Sequence, residues 1–157
     1  MNSLPTSLRT ANSGFTLIEL MVTIAVLAII VSIAAPSIST QLANQRVKST
    51  AATLENALKE AKVESVIRRQ SMELSIDNNN HVLAIMSENS DEIASYSYST
   101  DNTIEVDDSD NMTIVFRPSK HADAVTYTVC DSKNSSTSIQ VIVTATANIS
   151  TIGGGTC

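Results

Sequence analysis

The sequence predicts an α+β protein in which a long amino-terminal helix packs on an antiparallel β-sheet domain. Three observations support this fold class. An apolar run from Phe15 to Ala35 carries one charge in 21 residues. The next stretch, to about Ser71, repeats apolar residues with helical spacing. From Met72 onwards, β-branched residues alternate with polar ones. We therefore divide the chain into the segments 1–14, 15–36, 37–71 and 72–157.

The apolar run is long enough to cross a membrane as a helix. At about 1.5 Å per residue it spans roughly 32 Å, which covers the hydrocarbon core of a bilayer. It is longer than the apolar core of a secretory signal peptide, and no small-residue cleavage pattern follows a short apolar core. Arg9 precedes it and the next basic residue is Arg46, which favours a cytoplasmic amino terminus.

Glu19 is the one charged residue of this run. A carboxylate inside a membrane span is costly, so such a residue is a functional candidate by default. Glu19 also has a simpler explanation, because it lies about one turn beyond Phe15 and can reach the lipid headgroups of any single-pass anchor. Pro36 follows the run and either bends a continuing helix or ends it.

The stretch after Pro36 is predicted to be an amphipathic continuation of the helix. No glycine or proline occurs in it, and Glu55 and Lys59 form an i,i+4 pair in the favourable order. Five apolar residues at spacings of four and three share one face, which we expect to pack on the sheet: Val47, Ala51, Leu54, Leu58 and Ala61.

The remainder is predicted to form short antiparallel strands. The Asp77–Asn80 segment, "DNNN", is expected to make a hairpin turn between the first two of them, and "DDSDN" and "DSKNSS" to be polar connectors. The predicted strands are Met72–Ile76, His81–Met86, Ile93–Tyr98, Thr103–Val106, Met112–Phe116, Ala124–Val129 and Ile139–Thr146.

The charge distribution argues against a nucleic-acid partner. The chain has a net charge of −6, and after Ile76 it carries eleven acidic residues and three basic ones. Such a surface repels phosphate backbones at long range. Arg68 and Arg69 are basic, but they lie at the predicted helix end, where cations also favour the helix dipole.

Catalytic and metal sites are not expected. His81 and His121 stand in or beside turns with no second histidine or cysteine nearby, and we expect them to be surface residues. The acidic cluster of Asp107, Asp108 and Asp110 lacks the glycine and closing glutamate of a calcium loop. Gly153–Gly155 follows no phosphate-loop pattern. The sequence therefore predicts no enzyme activity, no metal and no cofactor.

The two cysteines, Cys130 and Cys157, lie 27 positions apart. If the domain is exported, they can form a disulfide, which the chain-entropy model values at roughly 3–4 kcal/mol for a loop of this size. The alternative is a pair of free thiols. Three glycines before Cys157 would let the tail turn back toward Cys130.

The segment Gly14–Leu20, "GFTLIEL", resembles the prepilin signature of type IV pilins and type II secretion pseudopilins. The resemblance implies that residues 1–14 are a leader which a prepilin peptidase removes after Gly14, and that the new amino group of Phe15 is methylated. It also implies that Glu19 pairs with the charged amino terminus of a neighbouring subunit during assembly. Pro36 is then expected to kink a continuing helix.

The β-rich remainder resembles the GspH/FimT branch of this superfamily, which includes FimU-type minor pilins and GspH minor pseudopilins. The implied location is the inner membrane, with the carboxy-terminal domain in the periplasm and later at the pilus tip. The implied partners are the prepilin peptidase, other minor pilins and the major pilin (or pseudopilins), the assembly platform and membrane lipid.

The resemblance leaves three functions to compare. The first is a minor pilin that primes assembly of a type IV pilus and joins it. The second is a minor pseudopilin of a type II secretion system. Disulfide loops near the carboxy terminus are typical of pilins and favour the first. The third is a DNA receptor for natural transformation, which is disfavoured because residues 147–150 contain none of the arginines of the Gly-Arg-x-Arg tail motif.

Overall fold

The computed structural model describes residues 14–107 and 112–157, with the backbone but not the side chains of residues 34–37. One helix, α1 (Leu17–Arg68), precedes nine strands. The strands are β1 (Met72–Asp77), β2 (Val82–Ser87), β3 (Glu92–Ser97), β4 (Asn102–Val106), β5 (Thr113–Arg117), β6 (His121–Ala122), β7 (Val125–Asp131), β8 (Asn134–Val143) and β9 (Ile149–Gly153).

The chain divides into two compact units, Met1–Ile38 and Ser39–Cys157. In the first unit, every described side chain of α1 is exposed. In the second unit, the rest of α1 and all nine strands share one hydrophobic core. No uninterrupted helix among the described residues is both long and apolar enough to cross a membrane, although Leu17–Ile33 and Ile38–Arg68 meet that requirement as a pair.

The strands form two antiparallel sheets. One has five strands in the order β3-β2-β1-β5-β6, and the other has four in the order β4-β7-β8-β9. Both contribute to the core, with Leu74 and Phe116 from the first sheet and Tyr127 and Val141 from the second. The antiparallel domain is as predicted, but its division into two sheets was not apparent from the strand pattern.

The predicted apolar face of α1 forms the helical side of this core. Its five predicted residues are at most 1% exposed, because their spacing places them on one side of the helix. α1 ends at Arg68, and Arg69 adopts a left-handed φ of 55° that terminates the helical hydrogen bonding.

The two sheets are joined by a polar contact from the β1–β2 turn. The Asn78 amide nitrogen donates to the Ile104 carbonyl oxygen at 2.8 Å, and the Asn78 amide oxygen accepts from the Ile104 N–H at 3.0 Å. The Tyr98 hydroxyl donates to the same amide oxygen at 2.6 Å. The "DNNN" segment is therefore the predicted turn and, in addition, a bridge to β4.

All seven predicted strands are present, with ends that shift by a few residues. Two strands were missed, the two-residue β6 and the edge strand β9. β8 begins at Asn134, inside the segment predicted to be a connector. Asn134 and Ser138 still pair with β7, because ladder hydrogen bonds come from the backbone and do not require apolar side chains.

Candidate functional site

The amino-terminal signature is accessible to solvent and runs from a short non-helical stretch into the first turn of α1. Gly14, Phe15 and Thr16 precede the first helical residue, and Phe15 is 84% exposed. A Cβ atom added at Gly14 would meet no atom within 4 Å. Among the described residues, nothing covers the Gly14–Phe15 peptide bond, so it is accessible to an enzyme. Residues 1–13, which include most of the expected leader, lie outside the described residues.

Glu19 occupies the first turn of α1. The Thr16 hydroxyl oxygen accepts a hydrogen bond from the Glu19 N–H at 3.2 Å, so Thr16 caps the helix and Glu19 is its third residue. The helix dipole favours a carboxylate at this end. The Glu19 side chain is exposed and has no ion-pair partner among the described residues. Its charge is thus available to a cation from outside the chain.

The helix around Glu19 is apolar on every side. Thirteen large apolar side chains between Phe15 and Ile33 are 50–84% exposed. A helix with apolar residues all round is stable only in lipid or against other apolar helices. The amino-terminal half of α1 therefore needs a membrane or a bundle of similar helices around it.

α1 continues through Pro36, so the proline does not end the helix. The side chains of residues 34–37 are outside the described part of the chain. The kink expected at Pro36 accordingly remains a prediction.

A disulfide joins Cys130 on β7 to Cys157, with an S–S distance of 2.09 Å. The tail reaches Cys130 by crossing the outer face of β8. The Gly154 N–H donates to the Ser138 carbonyl oxygen at 3.1 Å, and the Ser138 hydroxyl donates to the Gly155 carbonyl oxygen at 2.8 Å. We call Gly154–Cys157 the tail strap.

Gly155 is the residue that allows this crossing. Its φ is +114°, and a Cβ atom there would lie 2.9 Å from a Thr128 methyl carbon and 3.0 Å from Gln140 Cγ. No other residue type fits so close an approach without strain. The glycine run was correctly expected to turn the tail back toward Cys130.

An ion-pair cluster beside the disulfide ties α1 to the four-stranded sheet. The Arg46 guanidinium donates to the Asp131 carboxylate at 2.9 Å and lies 3.6 Å from Asp101, which also pairs with Lys133 at 2.8 Å. The Asp131 side chain is fully buried. Burial alone would raise the pKa of Asp131, but hydrogen bonds from Arg46 and the Lys133 N–H hold that pKa below its usual value.

Sequence reasoning did not find this cluster, and only a weak signal pointed to it. Asp131 directly follows Cys130 just beyond the end of a predicted strand, and a carboxylate buried there needs a partner. The partner is 85 residues away on the helix, and no local pattern connects the two.

Further polar contacts join the carboxy-terminal half of α1 to the strands and to the β8–β9 turn. The Lys62 ammonium donates to the Ala147 carbonyl oxygen at 2.7 Å. The Asn102 amide donates to the buried Thr50 hydroxyl at 2.8 Å. The Tyr96 hydroxyl donates to the Glu60 carboxylate. The pKa of Tyr96 is raised by that hydrogen bond to Glu60.

Two histidines and an acidic cluster were expected to be surface residues without a metal-binding or catalytic role. His121 is exposed as predicted, but His81 is half-buried, with its ring edge-to-face against Tyr98 at 5.4 Å between centroids. His81 is buried more than expected because its ring packs against Tyr98. The backbone of His81 is left-handed, with a φ of 53°. Asp107 is exposed, while Asp108 and Asp110 lie outside the described residues.

The segment that would carry a Gly-Arg-x-Arg motif, residues 147–150, spans the end of the β8–β9 turn and the first two residues of β9. The Ala147 N–H donates to the Thr144 carbonyl oxygen at 2.8 Å, and Ala147 is fully buried. Arg68 and Arg69 are exposed at the end of α1. The described residues of this turn therefore present no guanidinium group to a phosphate.

Two family models match the chain. A model of the prokaryotic N-terminal methylation motif matches residues 9–35, and a model of the type II transport protein GspH matches residues 50–147. No curated protein matches the sequence.

Solved structures with the same fold come from two systems. The type IV minor pilin FimU of Pseudomonas aeruginosa (strain PAO1) superimposes with a TM-score of 0.62 at 15% identity, over 72% of this chain and 96% of that one. The minor pseudopilin EpsH from the Type 2 Secretion System of Vibrio cholerae gives a TM-score of 0.57 at 9% identity, over 69% and 97%. At such identities the likeness establishes the fold.

Proposed function

Since this chain belongs to the GspH family of type II transport proteins, we propose that it is a minor pilin that primes assembly of a type IV pilus and is incorporated into it. The role is structural. The proposal is supported by four features that follow one another along the amino-terminal region and α1. They are an accessible Gly14–Phe15 bond, a capped first turn with Glu19, a segment that is apolar on all sides, and a carboxy-terminal half that packs into the core of the β-domain.

Processing is the first step of the proposed function. A prepilin peptidase cleaves after Gly14 and methylates the amino group of Phe15. Before assembly, the apolar half of α1 anchors the subunit in the inner membrane, with its amino terminus in the cytoplasm and its β-domain in the periplasm. The exposure of the bond and the apolar surface that follows it support this order of events.

Assembly is the second step. The amine of Phe15 in an adjacent subunit meets the Glu19 carboxylate among the packed apolar helices. Opposite charges attract strongly in such a low-dielectric environment, while either charge alone is costly. Glu19 thereby sets the register between subunits as the helices leave the lipid for the filament. The subunits it meets are other minor pilins and the major pilin, brought together by the inner-membrane assembly platform.

Deletion of the gene tests the proposal. We expect loss of surface pili and of twitching motility, with secretion of folded enzymes unchanged. The readouts are a count of sheared pili and the activity of a secreted enzyme in the culture medium. A complementing copy of the gene should restore the pili.

The second candidate is a minor pseudopilin of a type II secretion system. The match to the GspH model and the likeness to EpsH favour it specifically. It predicts the opposite result, in which secretion fails while pili and twitching persist.

A third candidate, a DNA receptor, requires micromolar DNA binding in a low-salt gel shift, which we do not expect from the arginine-free β8–β9 turn.

A further inference from the structure

The edge strand β9 has one side without a neighbouring strand. Hydrogen bonds between β8 and β9 show which backbone groups face that side. The Gly154 N–H donates to the Ser138 carbonyl oxygen at 3.1 Å, and the Thr144 N–H donates to the Asn148 carbonyl oxygen at 3.0 Å. In an antiparallel ladder, hydrogen-bonded pairs alternate with pairs whose groups face outward.

The alternation leaves Ile149, Thr151 and Gly153 with N–H and C=O groups directed away from β8. None of these groups has a protein hydrogen-bond partner among the described residues. The side chains at the edge are open as well, because Thr151 is exposed and Ile152 is 48% exposed.

β9 also lacks the features that protect most edge strands. It contains no charged residue and no proline, and its register with β8 is regular over all five pairs. Natural sheets usually block a free edge with lysine, proline or a bulge, since an open edge can pair with another chain. An unprotected edge of this kind is therefore able to accept a further strand.

Lysines of α1 flank this edge. Lys62 donates to the carbonyl oxygen of Ala147, just before β9 begins. Lys59 pairs with Glu55, which accepts a hydrogen bond from the Thr151 hydroxyl at 2.7 Å near the middle of the strand. Beyond the end of β9, Lys48 lines a groove of about 420 Å³ with Gly153–Gly155.

The part of α1 that carries these lysines is therefore similar in length to β9, which it flanks. From Lys48 to Lys62 the helix rises about 21 Å, and the five residues of β9 extend about 17 Å. Three lysines and one glutamate border the edge, an excess of two positive charges in a chain whose net charge is −6. Lys48 has no ion-pair partner among the described residues.

We propose that the free edge of β9 binds an extended acidic segment of a partner protein as an additional strand. Successive side chains of an added strand point to opposite faces of the sheet. Carboxylates at alternate positions would lie on the Thr151 side, near the lysines of α1, and apolar side chains at the other positions would lie beside Ile152. Backbone hydrogen bonds supply the binding energy, and the charges select the partner. This inference does not depend on which filament the subunit joins.

A peptide tests the inference directly. The probe is a fluorescein-labelled peptide of alternating glutamate and valine, seven residues long, added to the full chain in detergent micelles. The matched control is a peptide with lysine in place of glutamate. We expect the acidic peptide to bind with about tenfold or higher preference, and its binding to weaken as salt is added. Amide exchange should slow at Ile149, Thr151 and Gly153.

Two pairs of variants locate the contact. Thr151→Pro removes an outward-facing N–H without touching the ladder to β8, whereas Thr151→Val removes the hydroxyl and keeps the N–H. We expect about tenfold weaker binding for the proline variant and little change for the valine variant. Lys48→Glu should weaken binding severalfold, and Lys120→Glu, on an exposed turn, should not.

Three results would overturn the inference. The first is equal binding by the Thr151→Pro and Thr151→Val chains. The second is a preference for the basic peptide. The third is self-association through β9 with no peptide binding, which would make a second copy of this chain the occupant. If the proline variant does not fold, the Lys48→Glu pair and amide exchange in the unchanged protein still decide the matter.

Discussion

In the proposed assembly, Glu19 and Thr16, which lies three residues before it, prepare the start of the helix. The Thr16 cap fixes the first turn, and the Glu19 carboxylate stands at the helix end where the dipole favours it. A charge held on a defined turn can meet an incoming amine with little rearrangement.

We therefore predict that Glu19→Gln will be processed normally but will enter filaments about tenfold less efficiently, because the attraction to the Phe15 amine is lost. The measurement is the ratio of this subunit in sheared filaments to that in membranes. Ser32→Ala, a neutral change in the same apolar segment, serves as the control. Wild-type incorporation of the glutamine variant would disprove the role of Glu19.

Asp131 is a polar residue whose loss should destabilise the domain. Asp131→Asn leaves the Arg46 guanidinium without its buried partner, and we expect a destabilisation of about 2–4 kcal/mol. The control is Asp123→Asn, which breaks the exposed pair with Arg117 and should cost less than about 1 kcal/mol. Thermal unfolding of the two variants in the same detergent gives the comparison. Equal melting temperatures would show that the buried pair does not stabilise the fold.

The same carboxylate makes stability depend on pH. The pKa of Asp131 is lowered in the folded protein, with burial opposed by hydrogen bonds from Arg46 and the backbone. Its contribution is therefore complete above the ordinary aspartate pKa of about 3.9 and is lost as the pH falls through the lowered folded value. We expect a melting temperature that declines below about pH 4 and a weaker decline in Asp131→Asn. Identical pH profiles for the two proteins would contradict this assignment.

At the scale of elements, the sequence predicted regular structure best where side-chain pattern and burial coincide. The stripe from Val47 to Ala61 is a helical repeat, and it is buried as expected. β9 was not predicted, because four of its five residues are exposed. Its sequence therefore lacks the alternation of buried apolar and exposed polar residues by which strands are recognised. The contact between Arg46 and Asp131 could not be predicted, since it depends on how two distant elements pack.

The tail strap provides a test at this scale. Gly155→Ala places a Cβ atom within 2.9 Å of Thr128 at a φ of +114°, so the strap must lift from β8. We expect a loss of about 1–3 kcal/mol and faster reduction of the disulfide by dithiothreitol. Gly153→Ala meets no atom within 4 Å and should change neither quantity. Matching behaviour of the two variants would mean that the strap does not require glycine.

For the whole molecule, the decisive quantity is the mass of the mature protein. We expect a chain that starts at Phe15, carries one added methyl group and lacks two hydrogens because of the disulfide. Intact-mass spectrometry of filament-associated protein measures all three together. A filament subunit that retains residues 1–14 would displace the amine from Glu19 and contradict the assembly mechanism.

The side-on attachment of the strands to α1 has a mechanical consequence. Arg46, Thr50 and Lys62 each bind a strand or turn at a different height along the helix. A pull along the helix axis would load these bonds in shear, so that they share the force and must rupture together rather than peel apart singly. We expect the domain to resist tension along α1 better than the same force applied across it.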